Sequence, residues 1–137
     1  MILANELRLG NWVEEEVLGR VRIVAILSDT VAVVGKGMKM DRAIEDREFS
    51  LNLSNIKPVP LTPEILEKCG FEKQEDGDGG YYRELLSGNG FLFVEGDKKS
   101  YTDVFIDLWE HLRVRYVHQL QNLYFALTGE ELTINLP

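Results

Sequence analysis

Between Asn11 and Leu53 the apolar residues come in short, β-branched runs, and a turn signal cuts each one off within about eight residues, which leaves no room for a long helix. The pattern predicts consecutive antiparallel strands. Trp12 to Val17 is the first, Leu18-Gly19 turns the chain, and Arg20 to Leu27 follows with Val21, Ile23, Ala25 and Leu27 on one face. Ser28-Asp29 turns it again into Thr30 to Val34. After a polar connection from Gly35 to Arg47, Phe49, Leu51 and Leu53 alternate with Ser50, Asn52 and Ser54, the period of a half-buried strand. Four or five strands this short cannot cover their own apolar face as a flat sheet. Residues 1–60 are therefore expected to form a small curled antiparallel sheet, β-barrel-like and SH3-like.

Lys57-Pro58-Val59-Pro60 has prolines at alternate positions and predicts a stiff, extended connection. The clearest helix signal follows it. Thr62 is the N-cap, Pro63 sits at N1 where a missing N–H costs nothing, and Leu61 can staple onto Leu66. Gly70 at C′ places Phe71 at C″, against Leu66. Beyond the acidic, glycine-rich Gln74 to Gly80, the stretches Tyr81 to Leu86 and Phe91 to Glu95 flank Ser87-Gly88-Asn89-Gly90 as a hairpin. Tyr101 to Leu112 fits a helical stripe through Val104, Phe105, Leu108, Trp109 and Leu112, but Thr102 to Ile106 has strand composition; a strand and an irregular turn are expected. A closing helix runs from about Tyr116 to Thr128, with Val117, Leu120, Leu123, Tyr124 and Leu127 on one face and Gly129 as its stop. The predicted class is α+β, with residues 1–60 as the sheet and residues 61–137 as an α-β-β-β-α part.

At 137 residues and 45% hydrophobic content the chain can bury a core as one domain or two small ones. Its net charge of −8 is unevenly placed: residues 1–61 hold 9 acids and 8 bases, residues 62–137 hold 14 acids and 7 bases. A nucleic acid is therefore a disfavoured partner, because phosphate binding needs a basic face. Arg20, Arg22, Lys36 and Lys39 read as a solvated strand face, with a nucleic-acid-binding small barrel as the alternative. No apolar stretch approaches the roughly 18 residues needed to cross a bilayer. Nor does the N-terminus have the basic start and apolar run of a secretory leader, so a cytoplasmic protein without a membrane span is expected. Cys69 is the single cysteine, which rules out an internal disulfide and a thiolate zinc site within one chain.

Asp103, Asp107, Glu110 and His111 would share one face of a helix, and this is the basis for an alternative reading as a metal-dependent hydrolase or nuclease. On a strand the same residues split between faces. Glu75 to Gly80 is rich in carboxylates but lacks the regular donors and closing Glu of an EF-hand. Cys69 with His111 or His118 is the minimum for thiolate chemistry, yet a helix C-terminus raises a thiol pKa and favours a buried structural role. There is no nucleophile elbow, dinucleotide fingerprint or P-loop, so no catalytic residue, metal ligand or cofactor is assigned. Most of the aromatic residues are expected in the core. On the closing helix, however, His118, Gln121, Asn122 and Phe125 gather opposite the apolar stripe. They form the candidate contact surface for a protein partner or a second copy of the chain, packing within the chain being the other reading.

Asn5-Glu6-Leu7-Arg8-Leu9-Gly10-Asn11-Trp12-Val13, Ile56-Lys57-Pro58-Val59-Pro60-Leu61-Thr62 and above all the segment Tyr116 to Leu132 resemble a family of small bacterial proteins associated with prophages and other mobile elements. The resemblance spans most of the chain. It implies a mobile-element context and carries no activity, cofactor or site. The expected function is a non-enzymatic interaction or accessory module.

Overall fold

In the computed structural model, which describes residues 2–36, 46–73, 80–84, 91–96, 101–106 and 110–134, the first hairpin turn is built by a glutamate. Glu15 ends β1 (Trp12–Glu15), and its Oε2 accepts the N–H groups of Val17 at 3.0 Å and Leu18 at 2.7 Å. Gly19 then opens β2 (Gly19–Ile26) at φ +75, a left-handed conformation that favours glycine. The loop is Glu16-Val17-Leu18, so β1 stops two residues before the expected Val17.

β2 pairs with β3 (Thr30–Lys36), and the register shifts between Ile23 and Ala25. That bulge corrects the predicted strand face. Val21 and Ile23 are buried at 0% and 1% exposure, whereas Ala25 is exposed and Leu27 reaches 65%. One extra residue reverses the in-out alternation, and Ile26 packs on the core instead.

β4 (Asp46–Asn52) pairs with the far side of β3, a 3-10 turn follows at Leu53–Asn55, and β5 (Ile56–Pro58) returns to pair antiparallel with β1. The order is β4-β3-β2-β1-β5, all antiparallel, with β4 and β5 as the two edges. The sheet is open, which corrects the expectation of a barrel. Part of the predicted Pro-x-Pro connection is itself strand, and Pro58 is accommodated because it lies on an edge. Val13, Val21, Ile23, Val31, Val33 and Ile56 form the core, with Phe49, Leu51 and Leu53 half-buried against it. The N-terminal segment is fastened by Asn11, fully buried, whose Oδ1 accepts the Arg8 N–H at 2.7 Å. Gly10 N–H donates to the Ile23 carbonyl at 2.7 Å, and Ile23 N–H donates to the Asn11 carbonyl at 2.9 Å.

The chain divides into two compact units, Met1–Val59 and Pro60–Pro137. The second begins with α1 (Pro63–Lys68), capped as its sequence predicts: Thr62 Oγ1 accepts the Ile65 N–H at 3.3 Å. Its end is a Schellman close. Phe71 N–H donates to the Leu66 carbonyl and Gly70 N–H to the Glu67 carbonyl, both at 3.0 Å, with Gly70 at φ +86.

Five antiparallel strands follow as a meander, β6 (Glu72–Lys73), β7 (Tyr81–Glu84), β8 (Phe91–Gly96), β9 (Tyr101–Ile106) and β10 (Glu110–Arg113), in the order β10-β9-β8-β7-β6. Two more strands are present than the predicted α-β-β-β-α order allows. β6 is too short to register in a sequence pattern. β10 comes from the ambiguous stretch, whose helical stripe yields to backbone pairing with β9.

α2 (Val117–Thr128) closes the unit, and Gln119 Oε1 caps its start by accepting the Arg115 N–H at 2.9 Å and the Tyr116 N–H at 3.2 Å. Leu61 N–H donates to the Arg115 carbonyl at 3.0 Å, so the beginning of the unit is tied to the beginning of α2. Neither α1 nor α2 is long and apolar enough to cross a membrane, and no described helix is.

Candidate functional site

α2 buries a face rotated from the expected one. Val117 and Leu120 are 0% exposed and Tyr124 is 4% exposed, but Leu123 is only half-buried and Leu127 is exposed. The interior positions are instead His118 and Gln121. Val117, Leu120, Gln121 and Tyr124 have the i, i+3, i+4, i+7 spacing of a helix face turned inward, and His118 borders it. The His118 ring stacks on that of Tyr116, with centroids 6.1 Å apart and 9° between planes. Of the four residues expected on one contact surface, His118 and Gln121 are therefore interior, Asn122 is half-buried, and Phe125 alone is exposed, at 38%. Polarity suggested an outward face for this quartet; helix packing divides it.

The second feature is a junction around Arg83 on β7. Its Nη1 donates to the carbonyl of Cys69 at the end of α1, and its guanidinium lies 5.1 Å from the centroid of the Tyr124 ring on α2. Tyr81, two residues earlier on the same sheet face, donates its hydroxyl to Glu67 Oε1 at 3.1 Å. A cation at the C-terminus of a helix meets the negative end of its dipole, so the Arg83 position is electrostatically favourable as well as hydrogen-bonded. Both helices of this unit lie on the sheet face that carries Tyr81 and Arg83, together with the fully buried Leu92 and Val94.

Cys69 sits beside this junction at 1% exposure. Burial pushes its thiol from an ordinary 9.0 up to about 12, against the smaller opposing pull of the Arg83 charge. It is a neutral thiol at pH 7 and not a nucleophile. Ellman's reagent is expected to label it in the native protein only at the rate of unfolding, and rapid labelling would contradict its burial. Because the folded-state pKa is raised, the stability linked to this proton is fully present below pH 9.0 and is lost as the pH climbs toward about 12. Over that interval the loss is about 1.4 kcal/mol per pH unit, and Cys69→Ala should remove this component of alkaline destabilisation.

The acidic quartet is distributed by the β9–β10 pairing. Arg113 pairs with Asp103, His111 with Phe105 and Glu110 with Ile106, so Asp103, Glu110 and His111 lie on two paired strands and not along one helix. Asp107 and the loop Glu75 to Gly79 lie outside the described residues. Among the described residues no group of three or more His, Cys, Asp or Glu side chains could hold a metal ion.

A feature that sequence inspection does not reveal is set by strand register. Glu72 pairs with Tyr82, Tyr82 with Phe93, Phe93 with Phe105, and Phe105 with His111. These backbone positions form one transverse register row across the five strands. Their separations along the chain follow no helical or strand period, so only the pairing brings them together.

The fold and these surfaces define an α+β chain built on two open antiparallel sheets. Comparison with protein-family profiles, curated proteins and solved structures gives no significant match.

Proposed function

We propose that this protein is a non-enzymatic interaction module, an accessory component of a prophage or other mobile element acting in the cytoplasm. The observation that carries the binding role is the exposed aromatic Phe125, at 38%, near the C-terminal end of α2. Phe125 lies four and seven residues beyond the buried Gln121 and His118, on the same side of the helix, so its stripe emerges from the interior to the surface. Large apolar groups at such a boundary are suited to a protein partner or a second copy of the chain. The mobile-element context rests on the resemblance of Asn5 to Val13 and Tyr116 to Leu132.

An SH3-like arrangement of the first unit belongs to the same proposal. It is supported by the strand order β4-β3-β2-β1-β5 and by the 3-10 turn between β4 and β5. Small sheets of this kind commonly serve as binding modules, and this support is one of analogy.

Phe125→Ala is the test. The thermal midpoint should fall by no more than about 5 °C, the cost of trimming a side chain still partly covered within the chain, while association measured by sedimentation or by partner capture from the host weakens about tenfold or more. A Phe125→Ala protein with unchanged stability and unchanged association would overturn the assignment of this surface.

A further inference from the structure

We propose that the outward face of the N-terminal sheet forms a weak homodimer, a second copy of the chain laying the same face on it about a twofold axis that runs along β3. This surface is separate from the α2 surface, and the two stand or fall independently. The inward face holds the core, where Val21, Ile23, Val31 and Val33 are no more than 1% exposed. Their neighbours along each strand point the other way: Arg22, Ala25, Glu48 and Ser50 are exposed, and Ala32 and Val34 half-buried. The bulge adds Val24, at 38%, and the end of β2 leads into Leu27, at 65%, so the face also carries large apolar groups in contact with solvent.

Register sets these residues in two rows. Arg22 pairs with Val34 and Val34 with Glu48; Ala25 pairs with Ala32 and Ala32 with Ser50. Both rows have β3 at the middle, and in the first a cation and an anion stand on either side of it, each one strand spacing of about 4.8 Å away. Among the described residues neither Arg22 nor Glu48 is held in an ion pair within the chain. Half a turn about β3 exchanges the positions over β2 and β4, so Arg22 of each copy comes over Glu48 of the other, while Val34 and Ala32 meet their own counterparts. That self-matching is what an isologous contact requires. A partner of a single charge sign would meet a like charge in this row whichever sign it carried, a phosphate backbone included. Ala25, Ala32 and Ser50 are small enough for two sheets to approach to the roughly 10 Å of packed sheets. Three strands overlap in this arrangement, an area of about 14 Å by 20 Å on each copy, which belongs to the small and weak class of interfaces.

The test is sedimentation equilibrium of the full chain over the micromolar range. The parent should show a monomer–dimer equilibrium that added salt weakens. Arg22→Glu and Glu48→Arg, each alone, bring like charges face to face and should weaken the dimer about tenfold. Mixed in equal amounts, the two variants regain both opposite-charge contacts and should associate at least tenfold more tightly than either alone, a result that no contact within one chain can produce. Should either variant fail to fold, Ser50→Arg, at an exposed position that meets Ala25 of the second copy, should abolish the dimer. Each arm is repeated in a Phe125→Ala background, where association through α2 is removed and this dimer should persist. The proposal is overturned by a parent that stays monomeric, by single reversals or Ser50→Arg that leave association unchanged, by a mixture no tighter than its components, or by loss of the dimer in the Phe125→Ala background.

Discussion

Leu120→Ala is expected to cost the C-terminal unit about 2–5 kcal/mol, a large fraction of the roughly 5–15 kcal/mol that holds a small domain folded. Leu120 is fully buried on α2, between the buried Val117 and Tyr124. A twelve-residue helix in isolation is marginal, so its stability derives from packing this face against the sheet. Truncation removes the transfer free energy of the lost methyl and methylene groups and leaves a cavity that the neighbouring β-sheet cannot easily fill. Leu123 supplies the internal control. The sequence places it on the same apolar stripe, but it is half-buried, and Leu123→Ala should cost only about 1 kcal/mol. Urea denaturation followed by circular dichroism measures both. Equal losses for the two variants would mean that α2 is not rotated as described.

Arg83→Leu should have the next largest effect, about 2–4 kcal/mol, because one side chain joins three elements. It donates to the Cys69 carbonyl at the end of α1, lies over Tyr124 of α2 and is carried by β7. Leucine retains part of the packing but leaves the carbonyl without that donor, and the ring without its cation. Gly70→Ala attacks the same junction from the other side. A Cβ there would stand 2.6 Å from Arg83 Nη1, at a backbone φ of +86 where alanine is already strained by about 1–2 kcal/mol. The two substitutions should consequently be non-additive: once Arg83 is gone, Gly70→Ala retains only its backbone strain. An additive double-mutant cycle would show that the two residues do not meet.

Sequence alone determined the features whose hydrogen bonds close within a few residues. Thr62 and Pro63 start α1 and Gly70 ends it, with Phe71 in the expected C″ place, because each of those bonds spans three to five positions. The alternation of Phe49 and Leu51 against polar neighbours likewise marked a strand before any partner strand was known, although Leu53, read as its last apolar position, opens the 3-10 turn instead. Tertiary structure decided everything that depends on a partner distant in the chain. The bulge at Ile23 to Ala25 is set by how β2 meets β3, and it turned Ala25 and Leu27 outward although their spacing matched Val21 and Ile23. The ambiguity of Tyr101 to Leu112 was resolved by pairing with β8 and within β9–β10, since a backbone that can satisfy its polar groups either way follows the neighbour it finds. Helix rotation did the same for His118 and Gln121, whose polarity pointed outward and whose positions on α2 point in. The row from Tyr82 to His111 exists only through register, a property of pairs of strands that no single stretch of sequence contains.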